Sequence, residues 1–199
     1  MRRIWPTITI ALLLSVILAQ SWAAESKKWV TLTNCHYVDR KDNDGDSFCV
    51  KCGTDEFIVR LYFVDAPEAN LRYPERTREQ SEYFGITIDE TMKAGRKARD
   101  MVRELLREPF VIRTRRASAA GRSIEPRYYA FIEVGGKSLA EVLVSQGLAR
   151  PKGVTVNLPT GENWKAYLGK LRGLESEARQ KRLGIWGGAT EKKPETKTR

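Results

Sequence analysis

Histidine is almost missing: the 199 residues contain one, His36. Ser-His-Asp triads, paired-histidine phosphate chemistry and HExxH zinc sites all need more imidazoles than one side chain supplies, so these classes drop out. Cysteine is scarce too, with only Cys35, Cys49 and Cys52. Cys49 and Cys52 have C-x-x-C spacing, but there is no second ligand pair, and residues three apart on a strand face opposite ways, which argues against zinc. The apolar run from Ile8 to Ala19 falls short of the roughly 20 residues that a membrane-spanning helix needs. With Arg2 and Arg3 before it and Ser21-Trp22-Ala23 after it, the run reads as a secretory leader cut near Ala23. In an exported chain three cysteines make one disulfide and an odd thiol, with Cys35 bridged across a hairpin to Cys52 or to Cys49, the former favoured.

Negative charge is also in deficit, 25 Asp and Glu against 35 Lys and Arg, for a net +10 that falls to +8 once Arg2 and Arg3 are removed. Such a balance favours an anionic partner, nucleic acid or an anionic membrane surface, and by itself does not choose between them. Residues 24–188 suffice for one domain with a hydrophobic core, and the polar stretch 189–199 reads as a disordered basic tail.

Along that domain, Trp29 to Val38 favours a strand that the polar Asp39 to Gly45 breaks. Phe48 and Val50 alternate with polar neighbours, and Phe57 to Val64 alternates again, giving an antiparallel three-strand meander. Thr87 and Glu90 form a capping-box pattern opening a helix whose Ala94, Ala98, Met101, Val102 and Leu105 stripe runs until Pro109 stops it. Two more strands, Phe110 to Thr114 and Tyr128 to Val134, flank the basic stretch RRASAAGRSIEPR. Ser138 and Glu141 form a second capping box ahead of a short helix ending at Gly147. A last helix runs from about Glu162 to Lys181, and Trp186 pins it to the body. The expected class is α+β, mainly β: a five-stranded OB-fold barrel in the order β-β-β-α-β-β-α-α.

Without histidine, acid-base work falls to carboxylates and arginines, and two clusters offer them. DGDS, Asp44 to Ser47, enters the second strand. RLYFVDAPE, residues 60–68, sets Arg60, Asp65 and Glu68 around the end of the third. Each alone is commonplace, a turn or a surface ion pair. Together, on adjacent strands of one hairpin, they bring Asp46 beside Asp65 and offer hard oxygen ligands to a divalent cation.

DGDS, RLYFVDAPE, PRYYAFIEVGGKSLAEVLVSQGLAR (126–150) and LGIW (183–186), in that order, resemble the staphylococcal nuclease family of secreted calcium-dependent OB-fold nucleases, over roughly residues 30 to 186. The resemblance implies a metal-dependent endonuclease that hydrolyses DNA and RNA, preferring single strands and leaving 3′-phosphate ends. By motif position Asp46 and Asp65 would hold Ca2+, with the Ala66 carbonyl as a further ligand and Asp44 as a secondary contributor. Arg60 and Arg127 would bind the scissile phosphate, and Glu68 would be the general base.

Arg122 in AAGRS competes with Arg127, because the family's second arginine follows a glycine; the ungapped run onward to Arg150 favours Arg127. Gly153 stands where the family carries a tyrosine that packs on the nucleotide, and Ile124 and Glu125 stand where it carries a lysine-tyrosine pair. Tyr73 and Tyr83, in the loop after residue 68, are the candidate replacements for base stacking. The expectation is an exported, periplasmic or secreted monomer without stable membrane association. The alternative is a non-catalytic OB-fold binder of nucleic acid.

Overall fold

The computed structural model describes residues 28–119 and 125–188. The leader segment, Arg122 and the 189–199 tail, all singled out from the sequence, lie outside the described residues.

Three strands, β1 (Val30–Tyr37), β2 (Ser47–Cys52) and β3 (Asp55–Leu61), form the expected antiparallel meander. Their alternation sends Phe48, Val50, Phe57, Val59 and Leu61 into the core. Cys35 and Cys52 are register partners and are disulfide-bonded, while Cys49 is buried as a free thiol. The third strand stops at Leu61, short of the expected Val64, because Phe63 adopts a left-handed backbone with φ of 68°. The chain then turns into the two-residue β4 (Val64–Asp65), which carries Asp65 out of the barrel sheet.

Two helices follow, α1 (Pro74–Phe84) and α2 (Ile88–Leu105). The first replaces the loop that the sequence led us to expect. Its buried face is mostly polar, Thr77, Gln80 and Ser81 with Phe84, so it shows no apolar periodicity. The second has its capping box: Thr87 Oγ accepts from Glu90 N–H and the Glu90 side chain accepts from Thr87 N–H.

Strand β5 (Phe110–Ser118) pairs with β1, continuing past the expected Thr114 into the basic stretch, and β6 (Arg127–Val134) pairs with β5. Parallel pairing of β6 with β3 closes a five-stranded barrel, the OB-fold architecture expected, within an α+β chain. A short β7 (Lys137–Ser138) extends the sheet, and α3 (Leu139–Ser145) packs under it. Ser138 is the N-cap residue of α3, but its side chain makes no capping bond; its hydroxyl lies 2.9 Å from the Tyr167 hydroxyl, and Glu141 pairs with Lys170 at 2.8 Å instead. The two-residue β8 (Arg150–Pro151) pairs with β4, and α4 (Trp164–Gln180) covers the barrel end with Tyr167 and Leu171 fully buried. Trp186 packs with Phe84, Ala94, Ala178 and Ile185, holding α4 to α1 and α2 as expected.

Candidate active site

The β3–β6 seam sets two arginines on one face. Ile58 pairs with Arg127 and Arg60 with Tyr129, and all four side chains line an open groove of about 830 Å³. Val59, Leu61 and Ala130, at the intervening positions, are buried in the barrel. Arg127 also donates through Nε to the Ala119 carbonyl at 3.0 Å, and burial, with repulsion from Arg60, holds its pKa below the usual arginine value.

Asp46 enters this face from the turn before β2. It is fully buried: Oδ2 accepts from the Ala66 N–H at 2.8 Å and lies 3.0 Å from Arg60 Nη2, while Oδ1 has no partner. The approach depends on Gly45, where an added Cβ would stand 2.7 Å from Ala98 Cβ. Asp44 lines the groove, its Oδ1 accepting from Gly45 N–H at 2.8 Å. Burial first, then the charges of Asp46 and Glu68, push its carboxyl well above the ordinary aspartate range. Burial raises Asp46 as well, with Arg60 and Arg76 opposing.

Asp65 is held at both oxygens. Oδ2 accepts from Arg150 Nε at 2.8 Å and Gln80 Nε2 at 3.2 Å; Oδ1 accepts from Arg76 and lies 3.4 Å from Arg60 Nη2. Arg150, its side chain only 2% exposed, is fixed in turn by Glu79, whose pKa its hydrogen bond lowers to about 2. Gln80 ties the segment together by accepting from Glu68 N–H and donating to the Ala66 carbonyl, both at 2.8 Å. One lone pair of the expected carbonyl ligand is therefore already engaged. Glu68 lies within the groove, and burial raises its carboxyl above the usual glutamate value despite Arg76 beside it.

The expected residues Asp44, Asp46, Arg60, Asp65, Glu68 and Arg127 thus come together. Of the two tyrosines, Tyr73 lines the groove as the residue ahead of α1. Tyr83 does not: it stacks against Arg150 and Arg179, donates to Glu175 at 2.7 Å and is pushed up to about 12, chiefly by burial. The sequence reading missed Arg76, Gln80 and Arg150. The bracket of Pro74 and Gly85 around an eleven-residue run was the available signal for α1, which carries the first two.

Four carboxylates, hard oxygen donors, with a buried oxygen of Asp46 unpartnered, suit a divalent cation chemically. As they stand, no three acidic, histidine or cysteine side chains among the described residues form a group able to hold a metal ion, and the Arg76 guanidinium is engaged with both Asp65 and Glu68.

A closed barrel whose seam gathers arginines and carboxylates into one groove defines an OB-fold protein with a charged groove on its face. The family described as staphylococcal nuclease homologue matches residues 58–188, about two thirds of the chain, and the chain belongs to it. Membership makes this a nuclease-family protein, with nucleic acid as its substrate class. The match takes in Arg60, Asp65, Glu68 and Arg127, and begins after Asp44 and Asp46. No curated protein matches the chain.

Proposed function

We propose that the protein is a calcium-dependent endonuclease that hydrolyses phosphodiester bonds in DNA and RNA, preferring single strands and leaving 3′-phosphate ends. The observation that carries this reading is Arg60 directed at Asp46 and Asp65 in an open groove that Glu68 and Arg127 also line. A phosphodiester is anionic and repels its nucleophile, and charge grows on the non-bridging oxygens as attack proceeds. Arg60 and Arg127 present planar forks of donors to those oxygens. Glu68 takes a proton from the attacking water; the new P–O bond forms, the bond to the 5′-oxygen breaks, and that oxygen takes a proton from solvent as it departs. Positioned base catalysis contributes roughly 10²–10⁴-fold, and the electrostatic clamp more. A calcium ion held by Asp46 and Asp65, with the Ala66 carbonyl and Asp44 contributing, would add positive charge beside the phosphate and order the water. Tyr73, at the groove wall, is the stacking surface for a base. Export belongs to the same reading, supported by the Cys35–Cys52 bridge, since such bonds persist in oxidising compartments.

Purified protein incubated with single-stranded DNA and calcium, magnesium or chelator tests this. Cutting that calcium restores, and that Arg60→Ala or Glu68→Ala lowers at least ~10²-fold without loss of fold, is the expected result. Tight binding with no cutting under any metal condition would make the domain a non-catalytic binder instead.

A further inference from the structure

Arg76 belongs to none of the motifs that point to the site, yet it reaches the middle of it. The guanidinium is bonded to Asp65 Oδ1, lies 2.6 Å from Glu68 Oε1 and 3.9 Å from Asp46 Oδ2. Its contact with Glu68 has the distance of an ion pair but not the alignment of a hydrogen bond. The side chain is 36% exposed, against 15% for Arg60 and 2% for Arg150. Of the three cations on these carboxylates, Arg76 therefore has the open path to solvent. It also springs from the first turn of α1, two residues after Pro74, where the helix dipole disfavours a cation. A local rule broken at a site is the usual mark of a residue kept for function.

Resting on the nuclease reading, we propose that Arg76 is a tethered counter-cation, which holds Asp65 and Glu68 until a divalent cation enters and then moves onto the substrate phosphate. Shared oxygens argue for the exchange. Arg76 sits on Asp65 Oδ1 and beside Glu68 Oε1 and Asp46 Oδ2, the oxygens a divalent ion would take, whereas Arg150 is shared between Asp65 and Glu79. A divalent ion arriving there repels the Arg76 guanidinium at contact distance, and the exposed side chain can leave. The same departure frees Glu68 Oε1, the oxygen that a general base needs for water. It also releases a third guanidinium into the groove that Arg60 and Arg127 line. A side chain that merely pinned the segment in place would compete with the ion too, but its removal would leave KM for nucleic acid unchanged.

Calorimetric titration of calcium into the full-length protein, without nucleic acid, reads this competition directly. Arg76→Gln should bind calcium about tenfold more tightly than the natural protein, with Arg76→Lys in between, and should raise KM for a single-stranded oligonucleotide several-fold. Thermal melting in chelator should show Arg76→Gln less stable than the natural protein, with calcium closing the gap. Equal or weaker calcium affinity in Arg76→Gln, with cutting intact, overturns the exchange and leaves the nuclease reading standing. Absence of calcium binding in both proteins, with chelator-resistant cutting that Arg76→Gln abolishes, also overturns it and makes Arg76 a substitute for the ion. Tighter calcium binding in a protein that never cuts supports the exchange while removing the nuclease reading.

Discussion

Asp44 shows how a charge can be costly and still be kept. Its carboxyl is raised well above the ordinary range, chiefly by burial and then by Asp46 and Glu68, so its charged form opposes folding in the metal-free protein. The sign follows: the penalty is present above the folded-state pKa, shrinks as pH falls through it, and is gone below the ordinary aspartate value. Asp44→Asn, which can still accept from Gly45 N–H, should therefore raise the melting temperature in chelator at neutral pH by about a few degrees. That gain should fade as the pH approaches 4, and a gain independent of pH would mean that the charge is not its source. At this scale much of the site was legible. Asp46, Arg60, Asp65 and Glu68 were visible because their chemistry is local to two short motifs. Arg76 and Arg150 were not, because an arginine in a helix or after a QGLA run carries no signal of what it will meet across the fold.

At the scale of elements, the segment carrying Asp65 and Glu68 rests directly on a helix. An added Cβ at Gly95 in α2 would stand 2.5 Å from the Glu68 carbonyl group and the Pro67 oxygen. Glycine costs a helix interior roughly 1 kcal/mol relative to alanine, so propensity alone would favour the replacement. Backbone contact outweighs that gain, since distances under 3 Å force the segment or the helix to shift. Gly95→Ala should lower the urea midpoint and cut kcat by about 10²-fold, because displacing a reacting group by an ångström costs that much. A more stable and fully active variant would show that the segment yields freely. The helices divide cleanly in what the sequence disclosed. The second has an apolar stripe and a capping box, whereas α1 buries Thr77, Gln80 and Ser81 to hydrogen-bond the site, and a face built for polar contacts has no hydrophobic period to find.

For the whole molecule, the strand order was readable because turn residues and alternation mark it, while β4 and β8 are two residues each, too short to show alternation, and β4 follows the left-handed Phe63. The disulfide ties β1 to β2 with a sequence separation of 17, and the turn that presents Asp46 lies inside that loop. Removing it by Cys35→Ala with Cys52→Ala should cost about 3 kcal/mol in urea unfolding, with calcium affinity falling as the turn loosens. An unchanged midpoint would place the stability of the hairpin in its packing alone.

The β3–β6 seam has a further consequence. Because side chains alternate along a strand, inserting one residue between Arg127 and Ala130 would let Ala130 and the residues after it keep their pairing but turn that guanidinium to the face opposite Arg60. A relative could thus retain every charged residue and be chemically mute. Spacing parity between Arg127 and the buried Ala130 on its own strand, more than the presence of the arginine, separates a working copy from a silent one.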